Sequence, residues 1–170
     1  WIERFTSDLD ELEGSSSVPP FVSPATMQWM RQETGRLAAM TEAAPFAAKP
    51  TAAIHGDLHL ANVLVEATGR WWLIDWDDLA YGDPAADLAM VLAPLIARGE
   101  SVEALLGTRD DAFLCRFALC QRAVLLDLVI DSLADWADAD RLPAAAAAVR
   151  HAKRAAHERG LVVYRKRYAT

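Results

Sequence analysis

The chain has 170 residues, 53% of them apolar, and a formal net charge of −7. That is enough for a single domain, residues 1–170, with a real core. It excludes a membrane-spanning helix, because charges break every apolar run well short of the ~20 residues a span needs.

The start, Trp1-Ile2-Glu3-Arg4, is not a basic segment followed by an apolar stretch, so no secretory leader is expected. The missing initiator Met suggests a fragment or a processed piece. Glu3–Glu13 reads as a short amphipathic helix, followed by a loop through Gly14-Ser15-Ser16-Ser17 and Pro19-Pro20. Ser23-Pro24 is a helix start, with the hydroxyl as cap and Pro at the first helical position. That helix is expected to run to about Ala44. Thr51–Ile54 is a short strand leading into the His55 loop.

Val63-Leu64-Val65 and Trp71-Trp72-Leu73-Ile74 read as the two strands of a hairpin, with the turn at Glu66–Gly69. Asp83-Pro84 repeats the cap-and-proline signal and opens a helix that closes near Gly99. Thr108-Arg109-Asp110-Asp111 resembles a capping box with Asp in the Glu position. A long helix follows to about Ala137. Pro143 opens a last, alanine-rich helix expected to end at Gly160. Cys115 and Cys120 fit no zinc spacing and point apart on a helix. Two buried free thiols in a reducing cytoplasm are expected. From Arg150 onward there are seven basic residues and one acid, Glu158. No nucleic-acid module accompanies them, so a solvated helix with a basic end is expected.

The informative segment is His55-Gly56-Asp57-Leu58-His59-Leu60-Ala61-Asn62, followed by Leu73-Ile74-Asp75-Trp76-Asp77. One carboxylate, Asp57, can take a proton from a hydroxyl. The Asn62 amide oxygen and the Asp75 carboxylate can hold Mg²⁺, which prefers hard oxygen ligands shared with phosphates and water. The hairpin returns Asp75 beside Asn62. Protein kinases use H-R-D-x-x-x-x-N and then D-F-G for this chemistry. Here Gly56 stands in place of the Arg, and Trp76-Asp77 in place of Phe-Gly. Asp83 caps its helix, and Asp87 follows one turn later. Asp127, Asp131, Asp135 and Asp138 form a carboxylate stripe on one helical face, which suits a cationic partner or a solvated acidic surface.

The pattern HGDxxxxN…IDWDD…GDPxxDLA resembles the aminoglycoside phosphotransferase and choline kinase-like family. The resemblance implies a mainly α chain with a small β-hairpin (α+β), the C-terminal lobe of a protein kinase-like fold with its N-terminal lobe absent. The catalytic loop would be 55–62 and the metal-binding end of the hairpin 71–78. It further implies an ATP-dependent (or GTP-dependent) phosphotransferase acting on a small-molecule hydroxyl, with Mg²⁺ on Asn62 and Asp75. Asp57 would be the base, His55 a brace for the loop, and Asp87 its hydrogen-bond acceptor. Leu64 and Ile74 would floor the adenine site. His59 would donate to phosphate or face solvent. The implied setting is cytoplasmic, with no nucleic-acid or membrane partner. No G-x-x-x-x-G-K-[ST] or G-x-G-x-x-G loop occurs, and the lysines are Lys49, Lys153 and Lys166. The phosphate-binding Lys and nucleotide lid would then come from the missing lobe, leaving the isolated chain weakly active or inactive. Two other readings compete. One is a metal-dependent hydrolase using His55, Asp57, His59 and Asp75. The other is a non-catalytic binding remnant of the same fold.

Overall fold

The computed structural model describes residues 1–14, 18–43, 52–141 and 143–168. In chain order the elements are α1 (Ile2–Gly14), α2 (Pro24–Glu42), β1 (Ala52–Ile54), β2 (Val63–Val65), β3 (Trp71–Leu73), β4 (Ala80–Gly82), α3 (Pro84–Val91), α4 (Ala93–Ala97), α5 (Asp111–Ala137) and α6 (Ala146–Tyr168). Short 3₁₀ turns occupy Leu60–Asn62, Glu103–Leu105 and Asp138–Arg141. The chain divides into two compact units, one of Trp1–Glu42 with Leu125–Thr170 and one of Ala43–Val124. The expected Ser15–Ser17 loop, the helix end at Ala44 and the strand start at Thr51 lie outside the described residues.

The first unit is helical. Phe5, Leu9 and Leu12 of α1 are buried, as their i, i+4, i+7 spacing on one face requires. In α2 the same spacing rule buries Met27, Met30, Thr34 and Leu37. Its start is capped as expected, with Ser23 Oγ accepting from the Thr26 N–H at 3.1 Å. The C-terminal half of α5 is apolar on nearly every face. Leu125, Leu126, Val129, Ile130 and Leu133 are fully buried, which makes this stretch the unit's core.

α6 does not stop at Gly160 but continues to Tyr168. A Cβ at Gly160 would press on Val129 Cγ2 at 3.0 Å, so this glycine serves close packing rather than helix termination. Beyond it, Tyr164 Oη donates to the buried Glu33 carboxylate at 2.7 Å. Pro143 lies in the turn before α6 and not at its first position.

The second unit carries two two-stranded antiparallel sheets. β2 pairs β3 in the expected hairpin, with Val63 opposite Leu73 and Val65 opposite Trp71. β1 pairs β4, with Ala52 opposite Gly82 and Ile54 opposite Ala80. The sequence did not predict β4, because Tyr81-Gly82-Asp83-Pro84 reads as turn chemistry. Its pairing closes residues 55–79 into one excursion with pinned ends. The helix expected from Pro84 to Gly99 is broken at Leu92. Pro94 has no N–H to continue the ladder and its ring crowds the preceding turn. The α5 cap is Asp110, whose Oδ1 accepts from the Phe113 N–H at 2.6 Å, and not Thr108. Cys115 is exposed, not buried. Cys120 is half-buried, and burial, aided by nearby Asp83, pushes its thiol up to about 12; it stays protonated and unreactive.

His157 gives the first unit a pH dependence. The ring is buried, with Nδ1 2.9 Å from the Val129 carbonyl, and it meets Phe21 edge-on at 5.9 Å. Burial holds its pKa below the ordinary imidazole value. The folded state therefore favours neutral His157. Its contribution is present above the unfolded pKa of about 6.5 and is lost as pH falls through the lower folded value. Burial raises the carboxyls of Asp8, Asp127 and Asp131, and these act in the opposite sense at still lower pH. The urea midpoint is expected to fall between pH 7.5 and 5.5, and to fall less in His157→Gln. Equal slopes in the two proteins would assign the dependence to other groups.

Candidate active site

At the end of β1 the chain turns away from its strand partner with two backbone N–H groups in succession. Both end on one carboxylate. The His55 N–H donates to Asp87 Oδ2 at 2.7 Å and the Gly56 N–H to Asp87 Oδ1 at 3.0 Å. Asp87 stands in the first turn of α3, where the helix dipole favours an anion. That turn is fixed by Asp83, whose Oδ1 accepts from the Ala85 N–H at 3.0 Å. The other Asp83 oxygen pairs with Arg116. Gly56 has a φ of +84°, and a Cβ there would collide with the Asp78 carbonyl oxygen. No other residue fits this position, in both backbone angle and space.

The loop next presents Asp57, His59 and Asn62. Asn62 is buried, at 5% exposure. Its Nδ2 donates to the Asp57 carbonyl at 3.0 Å and lies 3.5 Å from Asp57 Oδ2. The amide nitrogen is thus engaged within the loop, leaving the side-chain oxygen as the available donor atom. The Asp57 carboxylate is 40% exposed and so within reach of a substrate; His59 Nε2 stands 3.4 Å from its Oδ2. His59 is exposed, in keeping with the solvent-facing expectation, and its ring also stands beside the Asp57 carboxylate.

The hairpin brings Ile74, the residue before Asp75, back against Asn62. After β3 the ladder makes one more bond, Ile74 N–H to the Asn62 carbonyl at 3.1 Å. Asp75 follows immediately with a φ of +63°, the one non-glycine residue with positive φ among the described residues. Asp tolerates this left-handed region better than most residues, at a cost on the order of 1–2 kcal/mol. His55 is buried and braces the turn, its Nε2 2.9 Å from the Ile74 carbonyl. His55, Asp57, His59, Asn62 and Asp75 thus all lie on one excursion of the second unit, and Asp87 holds its start from α3.

Leu64 and Ile74 lie on the hairpin, 49% and 41% exposed. Their neighbours Val65, Trp71, Trp72 and Leu73 are exposed as well, an apolar surface of the kind that a ligand or another polypeptide covers. The carboxylate stripe belongs to the first unit. Asp127 pairs with Arg4, Asp135 with Lys153, and Asp138 with Arg141, so internal ion pairs account for most of it. Among the described residues no group of three or more His, Cys, Asp or Glu side chains could hold a metal ion. That weakens a hydrolase built on His55, Asp57, His59 and Asp75, since His55 is already engaged with Ile74.

A family model described as the phosphotransferase enzyme family matches residues 4–160. The chain belongs to that family. No curated protein matches it. The chain resembles the crystal structure of a choline/ethanolamine kinase family protein from Mesorhizobium loti, with a TM-score of 0.57 and 20% identity. The match covers 95% of this chain and 59% of that one. At that identity the likeness shows the fold, a kinase-like one, and the chain spans under two thirds of its relative's length.

Several residues that shape this candidate site were given no role from the sequence. Asp78 closes over Gly56 by its carbonyl alone, which no side-chain pattern signals. Arg116 reaches Asp83 from 33 residues away. In the sequence Trp76 stands at the place of the Phe of D-F-G, but without a role.

Asp87→Ala should leave the N–H groups of His55 and Gly56 unpaired, at about 1–3 kcal/mol each. Asp87→Asn should rescue little, because two donors need two acceptor oxygens and an amide offers one. Gly56→Ala should be at least as damaging. Chemical denaturation checks all three, and an Asp87→Asn variant as stable as the parent would contradict the clamp.

Proposed function

We propose that this chain is the catalytic C-terminal lobe of an ATP-dependent kinase that moves a γ-phosphoryl group onto a small-molecule hydroxyl. The reading is supported by the placement of Asp57, Asn62 and Asp75 on one pinned excursion, with Asn62 bonded to Asp57 and to Ile74, the residue before Asp75, in a chain of the phosphotransferase family. Phosphoryl transfer asks a protein mainly for positioning and charge stabilisation. Asp57 orients the acceptor hydroxyl and takes its proton as the new O–P bond forms. It needs no unusual pKa for that, because the proton leaves late. Asn62 ties the Asp57 backbone and so fixes where the base stands.

One amide oxygen and one carboxylate suit Mg²⁺, which keeps several waters and phosphate oxygens among its six ligands. Asn62 and Asp75 are the residues that would hold it, and bound there it would neutralise charge on the phosphates. Leu64 and Ile74 supply an apolar floor for a base. His59, whose Nε2 stands 3.4 Å from Asp57 Oδ2, is a candidate donor to a phosphate.

A lobe outside this chain would provide the lid and the phosphate-binding Lys. Two facts support this: the exposed apolar hairpin and the 59% coverage of the related structure. A cytoplasmic enzyme using ATP or GTP is consistent with the family.

In a phosphoryl-transferring form of the enzyme, Asp57→Asn is expected to lower kcat by about 10²–10⁴-fold with little change in nucleotide affinity. Asp75→Asn is expected to weaken Mg²⁺-nucleotide binding instead. Full turnover by Asp57→Asn would remove the base assignment. The 170-residue chain alone should bind Mg²⁺-ATP only weakly by calorimetry, and micromolar affinity would contradict a missing lobe.

A further inference from the structure

The turn at Asp75 is stapled from two sides, and one residue makes both staples effective. Trp76 Nε1 donates to the Leu73 carbonyl at 2.9 Å. This folds the indole back over the strand end that it has just left. The same ring stacks against His55, with centroids 4.6 Å apart and planes inclined by 40°. His55 in turn holds the Ile74 carbonyl. The carbonyls of Leu73 and Ile74, the two residues before Asp75, are therefore both fixed by groups that Trp76 either supplies or supports. Between them and Trp76 sits the left-handed Asp75. A backbone in that region relaxes to the extended or right-handed form unless its surroundings over-determine it. Asp75 itself is exposed, so packing of its own side chain does not hold it there. A large aromatic left nearly half exposed, at 46%, is also not explained by core burial.

We propose that Trp76 is a positioning residue for Asp75. It keeps Asp75 left-handed, through the Leu73 carbonyl and through His55, and so sets the direction in which the carboxylate leaves the chain. This rests on the reading of Asp75 as a metal ligand. It predicts that Trp76 variants lose metal affinity without losing the fold. Side chains that orient metal ligands typically change affinity by about 10–100-fold when removed.

The test uses the 170-residue chain, with Mn²⁺ as the probe in the presence of millimolar non-hydrolysable ATP analogue, followed by electron paramagnetic resonance. Trp76→Phe keeps a ring against His55 but loses the N–H donor. Trp76→Leu loses both. Asp75→Asn removes the charged ligand while tolerating the same backbone angle. The expected order of Mn²⁺ affinity is parent, then Trp76→Phe, then Trp76→Leu, the last weaker by about 10–100-fold. Helix content by circular dichroism should be unchanged throughout. If Trp76→Leu fails to fold, Trp76→Phe decides, and a several-fold loss at unchanged melting temperature supports the proposal. Trp76 variants within twofold of the parent, with Asp75→Asn much weaker, would overturn the positioning role and leave the metal reading standing. Unchanged affinity in Asp75→Asn, or no Mn²⁺ binding by the parent, would overturn both.

Discussion

One carboxylate receives the backbone N–H groups of both His55 and Gly56, and the geometry of the site follows from that clamp. Asp87 reaches back 31 or 32 residues to do this. It can do so because its helix starts where Asp83 and Pro84 make it start, directly after β4. β4 in turn pairs with β1, which delivers His55. Cap, strand pair and clamp close a loop of chain whose ends would otherwise be free, and the ordering entropy of residues 55–79 is offset at both ends. Charge-assisted bonds of this kind are about twice as strong as neutral ones, and at the first turn of α3 the carboxylate is further favoured by the helix dipole.

Within that frame the reactive groups are ordered by short-range contacts. Asn62 bonds the backbone of Asp57, five residues earlier, so the proposed base and the proposed amide ligand are tied together. The hairpin ladder extends one bond past β3 to join Ile74 to Asn62, so Asp75, the proposed second metal ligand, follows directly after that bond. The left-handed Asp75 is strain placed at a functional position, which is where such strain tends to persist. Little of this region is deeply packed, and the hairpin's aromatic and aliphatic side chains stand open. That contrasts with the first unit, where Leu125–Leu133 of α5 form a dense core and even Gly160 is there for contact.

Much of the site was legible because its logic is local. The Asp57–Asn62 spacing, the hairpin and the Asp83-Pro84 cap each need only a few neighbouring residues to be read. The fold class was readable for the same reason, from helical stripes such as Phe5, Leu9 and Leu12. What escaped was non-local or sterically particular. β4 is three residues long and looks like a turn until β1 pairs with it. Gly160 looks like a helix stop until Val129 is seen beside it. The helix after Pro84 seemed continuous because a proline at position 94 is compatible with either a kink or a break. Thr108 looked like the cap of α5, although Asp110, two residues later, holds the bond. Cys115 was expected inside because cysteines usually are, but the first turns of α5 leave it exposed.

The central claim is that Asp57, Asn62 and Asp75 form one metal-nucleotide site on the pinned excursion. Residue-resolved NMR of the labelled chain, titrated with Mn²⁺ and an ATP analogue, tests it most directly. Paramagnetic broadening should strike first the Asn62 side-chain amide and the backbone amides of Asp57, Asp75 and Trp76. Broadening centred on the carboxylates of the first unit, at Asp127, Asp131 and Asp135, with Asn62 and Asp75 unaffected, would contradict the account.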